Sequence, residues 1–325
     1  MPEIGRKEFS ILRILGGHDV PVGATVIARE LRAYGIDLTE RAVRYHLQTL
    51  DEKGLTEGTG RAGRRLTEAG RQELAQARVA DQVALVFARM EALAYQTSFD
   101  IERGTGKVIL NVSLFRQNEV DAALRAMRTP FLSRYATSDL IALFEPGQRI
   151  AEEVVPRGHV GIGTVCSATI NGILLHHGIP VHSQFGGLLE ISGHEPARFT
   201  ELVEYRATSV DPVKLFISSG ETSVAKAAET GRGKVGAGFR TCPAEAREDV
   251  TRLVDQMGAW RIRGVIAVGA ASQPLLEIPV DVGRVAFVVC AGLNPVAAAA
   301  EAGVRALNRP MAALLDYSEL HQART

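Results

Sequence analysis

The chain has 325 residues, of which 46% are hydrophobic and 23% are charged, and its formal net charge is zero. This length predicts two or three domains, and the balanced charge excludes a polycation, so any contact with nucleic acid must come from a local basic patch. Its three cysteines lack close spacing, which argues against a disulfide framework, and no apolar run is long enough to span a bilayer. Because the N-terminus also lacks an apolar signal segment, we expect a cytoplasmic protein without a membrane partner.

Residues 1–80 predict a winged helix-turn-helix DNA-binding domain. Apolar residues at helical spacing indicate two short helices before residue 36. A third helix follows Thr39, whose hydroxyl can accept hydrogen bonds from the free N–H groups of a helix start. Within this third helix, Val43, Leu47 and Leu50 form one apolar stripe. The residues that indicate the first two helices are Phe9, Leu12, Leu15, Ile27, Leu31 and Tyr34, and Gly35 ends the second.

The polar face of the third helix is the predicted DNA-recognition surface. Arg41, Arg44, Tyr45 and Gln48 recur at helical spacing on the side opposite the apolar stripe. The second helix of a helix-turn-helix pair lies in the major groove, where these side-chain types suit phosphates and base edges. Double-stranded DNA is therefore the predicted partner.

A basic β-wing is predicted directly after this helix. Leu55–Glu57 and Arg64–Leu66 can pair as two short strands. The glycine-rich tip that joins them carries Arg61, Arg64 and Arg65 and no acidic residue, which predicts contact with DNA phosphate. A solvated charged face and a protein-docking winged helix are the alternatives, and the clustering of helix, stop and arginines favours DNA.

Residues 81–97 predict a connector helix. Apolar residues keep helical spacing through much of the stretch from Thr67 to Tyr95. We expect Val83, Val86, Phe87 and Met90 to pack on a second copy of the chain, which predicts a homodimer; the alternative is that they pack within their own chain.

Residues 98–325 predict an α/β effector-sensing domain with two pseudo-repeated halves. Short β-rich runs alternate with helical stretches, and similar segments occur twice. Two such halves predict a cleft between them, where ligands commonly bind. The matched segments are Lys107–Phe115 with Lys234–Arg240, Leu140–Phe144 with Val265–Gly269, His159–Cys166 with Gly283–Cys290, and the helices Ser167–His177 with Asn294–Leu307, around an insert near Gly186–Tyr205.

Joints between strands and helices are the candidate effector sites, because the free N–H groups of a helix start favour anions. Such joints lie near Cys166, Thr222 and Asn294, the last being a possible helix cap. Arg240, near a predicted strand end, can hold a carboxylate in a two-pronged grip. Ordinary helix caps and a surface arginine are the alternative. The candidate ligand residues are Cys166, Ser167, Thr169, Asn171, His182, Thr222, Arg240 and Asn294.

Thiol chemistry and metal binding are the two other candidate chemistries for this domain. A helix start lowers a thiol pKa, so Cys166 could act as a nucleophile or redox sensor beside nearby histidines, although no nucleophile motif surrounds it. Metal binding is the second candidate chemistry, but the residues available for it match no helical histidine pair and no paired-cysteine pattern. We assign no catalytic residue, metal or cofactor, which leaves an enzyme with an accessory winged helix as a weaker alternative. The metal candidates are His176, His177, His182, Glu190 and His194.

Several segments together resemble the NrpR family of archaeal and bacterial nitrogen-regulatory transcriptional repressors. They are RAVRYHLQTLDEKGL, GIGTVCSATINGILLHHGIPV, FGGLLEI, DPVKLFISSGETSV, GAGFR and GLNP. The resemblance covers nearly the whole chain and implies a winged helix followed by a single sensor domain. It also implies dimeric repression at palindromic operators that is relieved by 2-oxoglutarate, with the Cys166 segment matching the sensor-cleft motif of the family.

Overall fold

The computed structural model describes residues 5–18, 20–32, 34–76, 85–151 and 153–323. The chain divides into two compact units, Met1–Ala92 and Leu93–Thr325. The division falls inside the predicted connector. None of the helices among the described residues is both long and apolar enough to cross a membrane.

The first unit is built on a three-helix core. Its third helix begins where predicted, because the Thr39 hydroxyl accepts from the backbone N–H of Ala42 at 3.2 Å. The predicted apolar stripe of this helix, which begins with Val43, is buried. Leu38, just before the cap, is buried too. Gly35, with φ of 69°, makes the left-handed turn after the second helix. The helices are α1 (Arg6–Gly16), α2 (Ala24–Arg32), α3 (Glu40–Glu52) and α4 (Glu68–Gln76).

The predicted wing is a β-hairpin that also pairs with Val22, a residue between α1 and α2. β1 (Thr56–Gly58) pairs antiparallel with β2 (Arg64–Leu66). Val22 forms an isolated antiparallel β-bridge with Arg64 of this hairpin. The Val22 N–H donates to the Arg64 carbonyl at 2.8 Å, and the Val22 carbonyl accepts from the Arg64 N–H at 3.0 Å. Gly63 permits this approach, since a Cβ there would lie 2.3 Å from the Val22 oxygen.

The connector corresponds in part to helix α5 (Leu85–Gln96). Val86, Phe87 and Met90 are buried in the single chain, and Val83 lies outside the described residues. The prediction that these residues form a surface for a second copy is therefore wrong for the three that are described. Their apolar side chains obtain burial inside their own chain, which was the alternative.

The second unit contains two five-stranded antiparallel sheets with helices, as the α/β prediction required. One sheet has the strand order β13-β3-β7-β4-β14, and the other has the order β11-β12-β10-β8-β9. The strands of the first sheet are β3 (Lys107–Arg116), β4 (Leu140–Phe144), β7 (His159–Val165), β13 (Leu307–Asp316) and β14 (His321–Gln322). Those of the second are β8 (His182–Ser192), β9 (Glu195–Glu204), β10 (Arg232–Pro243), β11 (Val265–Val268) and β12 (Arg284–Cys290), and a separate small hairpin pairs β5 (Arg149–Ile150) with β6 (Glu153–Val154).

A similar series of elements runs twice through this unit. The first series is β3, α6 (Val120–Leu132), β4, β7, α7 (Ala168–His176) and β8. The second is β10, α10 (Arg247–Ala259), β11, β12, α11 (Asn294–Glu301) and β13, after α8 (Pro212–Ser219) and α9 (Val224–Thr230). The last strand of each series pairs with the first strand of the other, β8 with β10 and β13 with β3. Each sheet therefore contains strands from both series.

One predicted boundary in the second series is wrong. The helix expected over Asn294–Leu307 ends at Glu301, and Leu307 begins strand β13 opposite Leu114. Gly303, with φ of 84°, turns the chain in the left-handed region between them. The run of alanines gives helical propensity without marking where the helix stops, and pairing with a strand far away in sequence decides the rest.

A buried carboxylate also joins the two series. Asp139, just before β4, accepts from Nε of Arg261 at 2.8 Å and from Nη2 of Arg263 at 3.0 Å. Burial alone would raise the Asp139 pKa, but the hydrogen bonds and charges of the two arginines outweigh it and hold that pKa below its usual range. The pair fixes the loop between α10 and β11 against the first series.

Candidate DNA-binding surface and effector site

The predicted recognition face is exposed on α3. Arg41, Arg44, Tyr45 and Gln48 all face solvent, and Tyr45 is 69% exposed. The face is not purely basic, because Arg44 pairs with Glu40 one turn earlier and Gln48 Nε2 donates to Glu52 at 3.4 Å. Both acidic partners lie on the same helix. A phosphate that approaches Arg44 must share or replace the Glu40 carboxylate.

Two of the predicted wing arginines are also paired. Arg64 Nε donates to Asp51 at 2.7 Å, and the other Asp51 oxygen accepts from the Thr56 hydroxyl at 2.5 Å. Arg65 Nε donates to Glu57 across the hairpin at 2.7 Å, and the Arg65 side chain is 62% exposed. The tip itself carries no acid, but folding brings carboxylates from α3 and β1 alongside. Arg61 lies in a 3-10 turn, Gly60–Ala62, at the tip.

The most unusual group in the second unit is a buried guanidinium. Arg240, on β10, is 1% exposed. Its Nη1 donates to the Ser167 carbonyl at 2.9 Å and to Asn171 Oδ1 at 2.5 Å, and its Nη2 donates to Ser167 Oγ at 2.8 Å. The Nε atom has no hydrogen-bond partner among the described residues. The charge thus meets neutral acceptors at the start of α7, and it ties the second series to the first.

Burial shifts the pKa values of other titratable groups beside Arg240. Burial raises the pKa of the Cys166 thiol to about 11. Burial also raises the pKa of Tyr205, and that of Asp211, whose carboxylate accepts from the Lys214 N–H at 3.0 Å and caps α8. Conversely, burial lowers the pKa of Arg240, an effect that the nearby Tyr205 and Cys166 oppose. A protonated, buried Cys166 is a poor nucleophile and a poor metal ligand.

Two predicted ligand residues form hydrogen bonds with the backbone. The Thr169 hydroxyl accepts from the Ile109 N–H of β3 at 3.0 Å. Asn294 Oδ1 accepts from the Gly236 N–H of β10 at 2.9 Å, and its Nδ2 donates to the Gly236 carbonyl at 2.9 Å and to the Tyr135 carbonyl at 2.8 Å. Asn294 also does not cap α11, because Leu293 occupies the cap position. These contacts give both residues a structural role, and their roles in ligand binding stay predictions.

The remaining predicted residues, Thr222 and His182, have different environments. Thr222 precedes α9, whose Val224 and Ala225 N–H groups already donate to the Glu301 carboxylate at 2.7 and 2.9 Å. That helix start therefore holds an internal anion. His182 begins β8 opposite Thr241, and burial together with Arg206 and Arg284 lowers its pKa.

The histidine group proposed as a metal alternative does not assemble. Among the residues that the structure describes, no three His, Cys, Asp or Glu side chains lie close enough to hold a metal ion. His177 Nδ1 instead lies 2.8 Å from the Ile173 carbonyl, and Glu190 accepts from Arg198 at 2.9 Å.

Sequence reasoning found four of the groups at the buried site and missed three. Cys166, Ser167, Asn171 and Arg240 come together as candidates, whereas Ser183, Tyr205 and Asp211 were not predicted. The Asp211-Pro212 pair is a recognisable helix start, so one missed residue carried a usable signal. Ser183, which accepts from Asn171 Nδ2 at 3.0 Å, carried none.

Comparison with known proteins accounts for both units. Residues 9–74 match a family described as the Ribonuclease R winged-helix domain, which agrees with the fold of the first unit. Residues 83–322 match a family described as NrpR regulatory domains NRD1 and 2. The chain belongs to the NrpR family.

The similarity extends to full-length relatives. The NrpR-family chain is 36% identical over 321 residues to the global nitrogen regulator NrpRI of Methanosarcina mazei, covering 99% of each chain. It is 29% identical to the global nitrogen regulator NrpR of Methanococcus maripaludis and spans 55% of that protein's length. A crystal structure of a nitrogen repressor-like protein from Methanococcus jannaschii matches 74% of the chain and 99% of its own with a TM-score of 0.63, and at 23% identity it shows the fold alone.

Proposed function

We propose that this chain is a homodimeric transcriptional repressor of nitrogen-related genes whose effector is a small keto-diacid, 2-oxoglutarate or a close analogue. The observation that carries the effector proposal is Arg240, a buried guanidinium whose acceptors among the described residues are all neutral and whose Nε–H has no partner there. The relatives' names, global nitrogen regulators, support the genes that it controls.

A carboxylate is the ligand that best complements Arg240. Burying a charge is costly unless a counter-ion or several hydrogen bonds compensate it. The guanidinium can donate two parallel bonds to one carboxylate, and Nε is the donor that neutral neighbours leave unused. The positive end of the α7 helix dipole adds favourable potential for the same anion.

The position of Arg240 between the two series of elements gives the ligand a means of changing their contact. We propose that the two series of elements are pseudo-repeated halves, supported by their common order and by the exchange of β8 and β13. Arg240 comes from one series and Ser167 from the other. A ligand that takes the guanidinium changes the contact between the halves, and such a differential interaction is what shifts an equilibrium.

The first unit supplies the DNA contacts in this proposal. The exposed α3 face reads the major groove and the wing contacts phosphate. Two copies bound to a palindrome place their recognition helices roughly 34 Å apart, one turn of B-DNA. The redox alternative loses support because Cys166 is buried and protonated, and the metal alternative because its residues do not assemble.

Calorimetry with 2-oxoglutarate tests the effector proposal. We expect the wild-type protein to bind, Arg240→Gln to lose binding, and Arg198→Gln, which removes an exposed arginine from β9, to bind as wild type does. Far-UV circular dichroism and thermal unfolding confirm that both variants fold. Absence of wild-type binding at millimolar ligand would remove this effector, and equal binding by Arg240→Gln would remove this site.

A further inference from the structure

We propose that α7 carries the effector signal to the connector helix α5 through a direct contact at Gly172. The inference rests on the proposed function, because it assumes that the effector binds at Arg240. It adds a route by which the site regulates DNA binding, and it assigns coupling roles to Gly172 and to Tyr34.

The route begins at the first turns of α7. Ser167 and Asn171 supply every acceptor that Arg240 uses among the described residues. An anion that takes the guanidinium must displace or share these acceptors. Ser183 is the other side chain that Asn171 bonds among the described residues, so losing Arg240 as a partner changes what holds Asn171 in place on α7.

Gly172, the next residue, brings α7 into contact with the end of α5. A Cβ at Gly172 would lie 2.5 Å from Thr97 Cβ, 2.6 Å from the Ala94 carbonyl oxygen and 2.7 Å from Thr97 Oγ1. Real Cβ atoms essentially never approach other heavy atoms below 3.0 Å. The glycine is therefore required for this packing, although glycine is unfavourable inside a helix.

The receiving side of this contact has little freedom to absorb a displacement. Thr97 is fully buried, and its N–H and hydroxyl both donate to the Leu93 carbonyl, at 2.9 and 3.0 Å. Because packed cores respond as discrete arrangements and not as soft media, a shift of α7 is passed on to α5.

The other end of α5 is fixed in the first unit. Arg89 Nη1 donates to the Tyr34 hydroxyl at 2.9 Å, and its guanidinium lies 5.4 Å from the centre of the Tyr34 ring. Arg13 lies 5.6 Å from the same ring centre. Tyr34 precedes the Gly35 turn that leads to α3. One helix thus has residues in both units, with a specific contact in each.

Contact alone does not establish coupling, so the test measures the effect of effector on DNA affinity. The variant is Gly172→Ala, and the matched control is Gly258→Ala, a helical glycine of α10 with nothing within 4 Å of its Cβ position. Effector affinity is measured by calorimetry without DNA. DNA affinity is measured by fluorescence anisotropy with and without saturating 2-oxoglutarate.

We expect the effector to change wild-type DNA affinity by about 5-fold or more, the range of ordinary allosteric coupling. Gly258→Ala keeps this ratio. Gly172→Ala keeps effector affinity within about twofold but brings the ratio close to one, by loss of the transmitted signal. Tyr34→Phe removes only the hydroxyl that Arg89 contacts, and it lowers the ratio as well, which provides a second readout should Gly172→Ala fail to fold.

The possible failures are distinguishable. If wild-type protein does not bind 2-oxoglutarate, the proposed function falls and this inference falls with it. If the ligand binds and shifts DNA affinity equally in wild type and in the folded variants, only the inference is overturned. Loss of effector binding in Gly172→Ala would also overturn it, because Gly172 would then belong to the binding site.

Discussion

The arginines of the two units contrast in their partners. On the proposed DNA-binding surface, Arg44, Arg64 and Arg65 each pair with a carboxylate of the same chain and remain at least partly exposed. In the second unit, Arg240 is buried, and within the described part of the chain its hydrogen bonds go to neutral acceptors. Exposed ion pairs contribute about 0–1 kcal/mol, so phosphate can replace their partners easily. Among the residues that the structure describes, Arg240 has no carboxylate partner, which is the basis for proposing that it binds an anionic effector.

The largest expected effect comes from changing the shape of the buried cation without removing its charge. Arg240→Lys keeps a positive charge but loses the planar fork, and we expect it to weaken 2-oxoglutarate binding by about 2–4 kcal/mol. Calorimetry gives the affinity directly. Affinity equal to that of the wild type would show that the ligand reads charge alone and that the two-pronged grip is not used.

The next largest effect concerns the ion pair of Arg44 and Glu40 on the predicted recognition face. Arg44→Ala is expected to weaken operator affinity by about 1–3 kcal/mol and to relax sequence specificity. Glu40→Gln, which removes the competing partner, is the matched variant and should leave affinity unchanged or raise it. Gel-shift titrations on operator and on scrambled DNA measure both quantities. Unchanged affinity and specificity in Arg44→Ala would exclude this residue from recognition.

Asp139 is a buried carboxylate that is paired with two arginines, whereas Arg240 is a buried arginine that meets neutral acceptors. Since the Asp139 pKa is lowered in the folded state, Asp139 contributes stability that is present above its unfolded pKa, about 3.9, and is lost as pH falls through the folded value. Because both arginines are partly exposed, we expect on the order of 1 kcal/mol. Urea unfolding followed by Trp260 fluorescence at pH 7 and at low pH should show less pH dependence in Asp139→Asn. Identical pH profiles in the two proteins would contradict the assignment.

The smallest expected effect separates the two wing arginines. Arg65 is exposed, so Arg65→Ala should weaken binding to all sequences and reduce the salt slope by about one. Arg64 holds Asp51 at the end of α3, so Arg64→Ala should resemble Asp51→Ala and leave the salt slope nearly unchanged. Anisotropy titrations at several salt concentrations distinguish these outcomes. An equal fall in slope for both variants would place both side chains on phosphate.

Local features of the sequence predicted most of the first unit. The Thr39 cap and the stripe of Val43, Leu47 and Leu50 depend on neighbours within one helix, and the structure confirms them. The ion pairs of Arg64 and Arg65 were missed, because their partners lie on adjacent elements and become neighbours only on folding.

The second unit was less predictable for the same physical reason. Sequence identified Arg240 and Asn171 as candidates without indicating that they bond to each other. The backbone contacts of Thr169 and Asn294 were missed, because a polar residue near a helix start has the same pattern whether it binds a ligand or the backbone of a neighbouring strand. The exchange of β8 and β13 joins segments far apart in sequence, and no local pattern encodes it.

The most direct test of the account is operator affinity as a function of 2-oxoglutarate in wild type and Arg240→Gln. The operator is a palindromic fragment that the protein itself selects from a random library, and fluorescence anisotropy measures the dissociation constant. The account predicts that ligand weakens wild-type binding by about 5-fold or more and leaves Arg240→Gln unaffected. An equal ligand effect in both proteins, or no effect on wild type that binds the ligand by calorimetry, would contradict it.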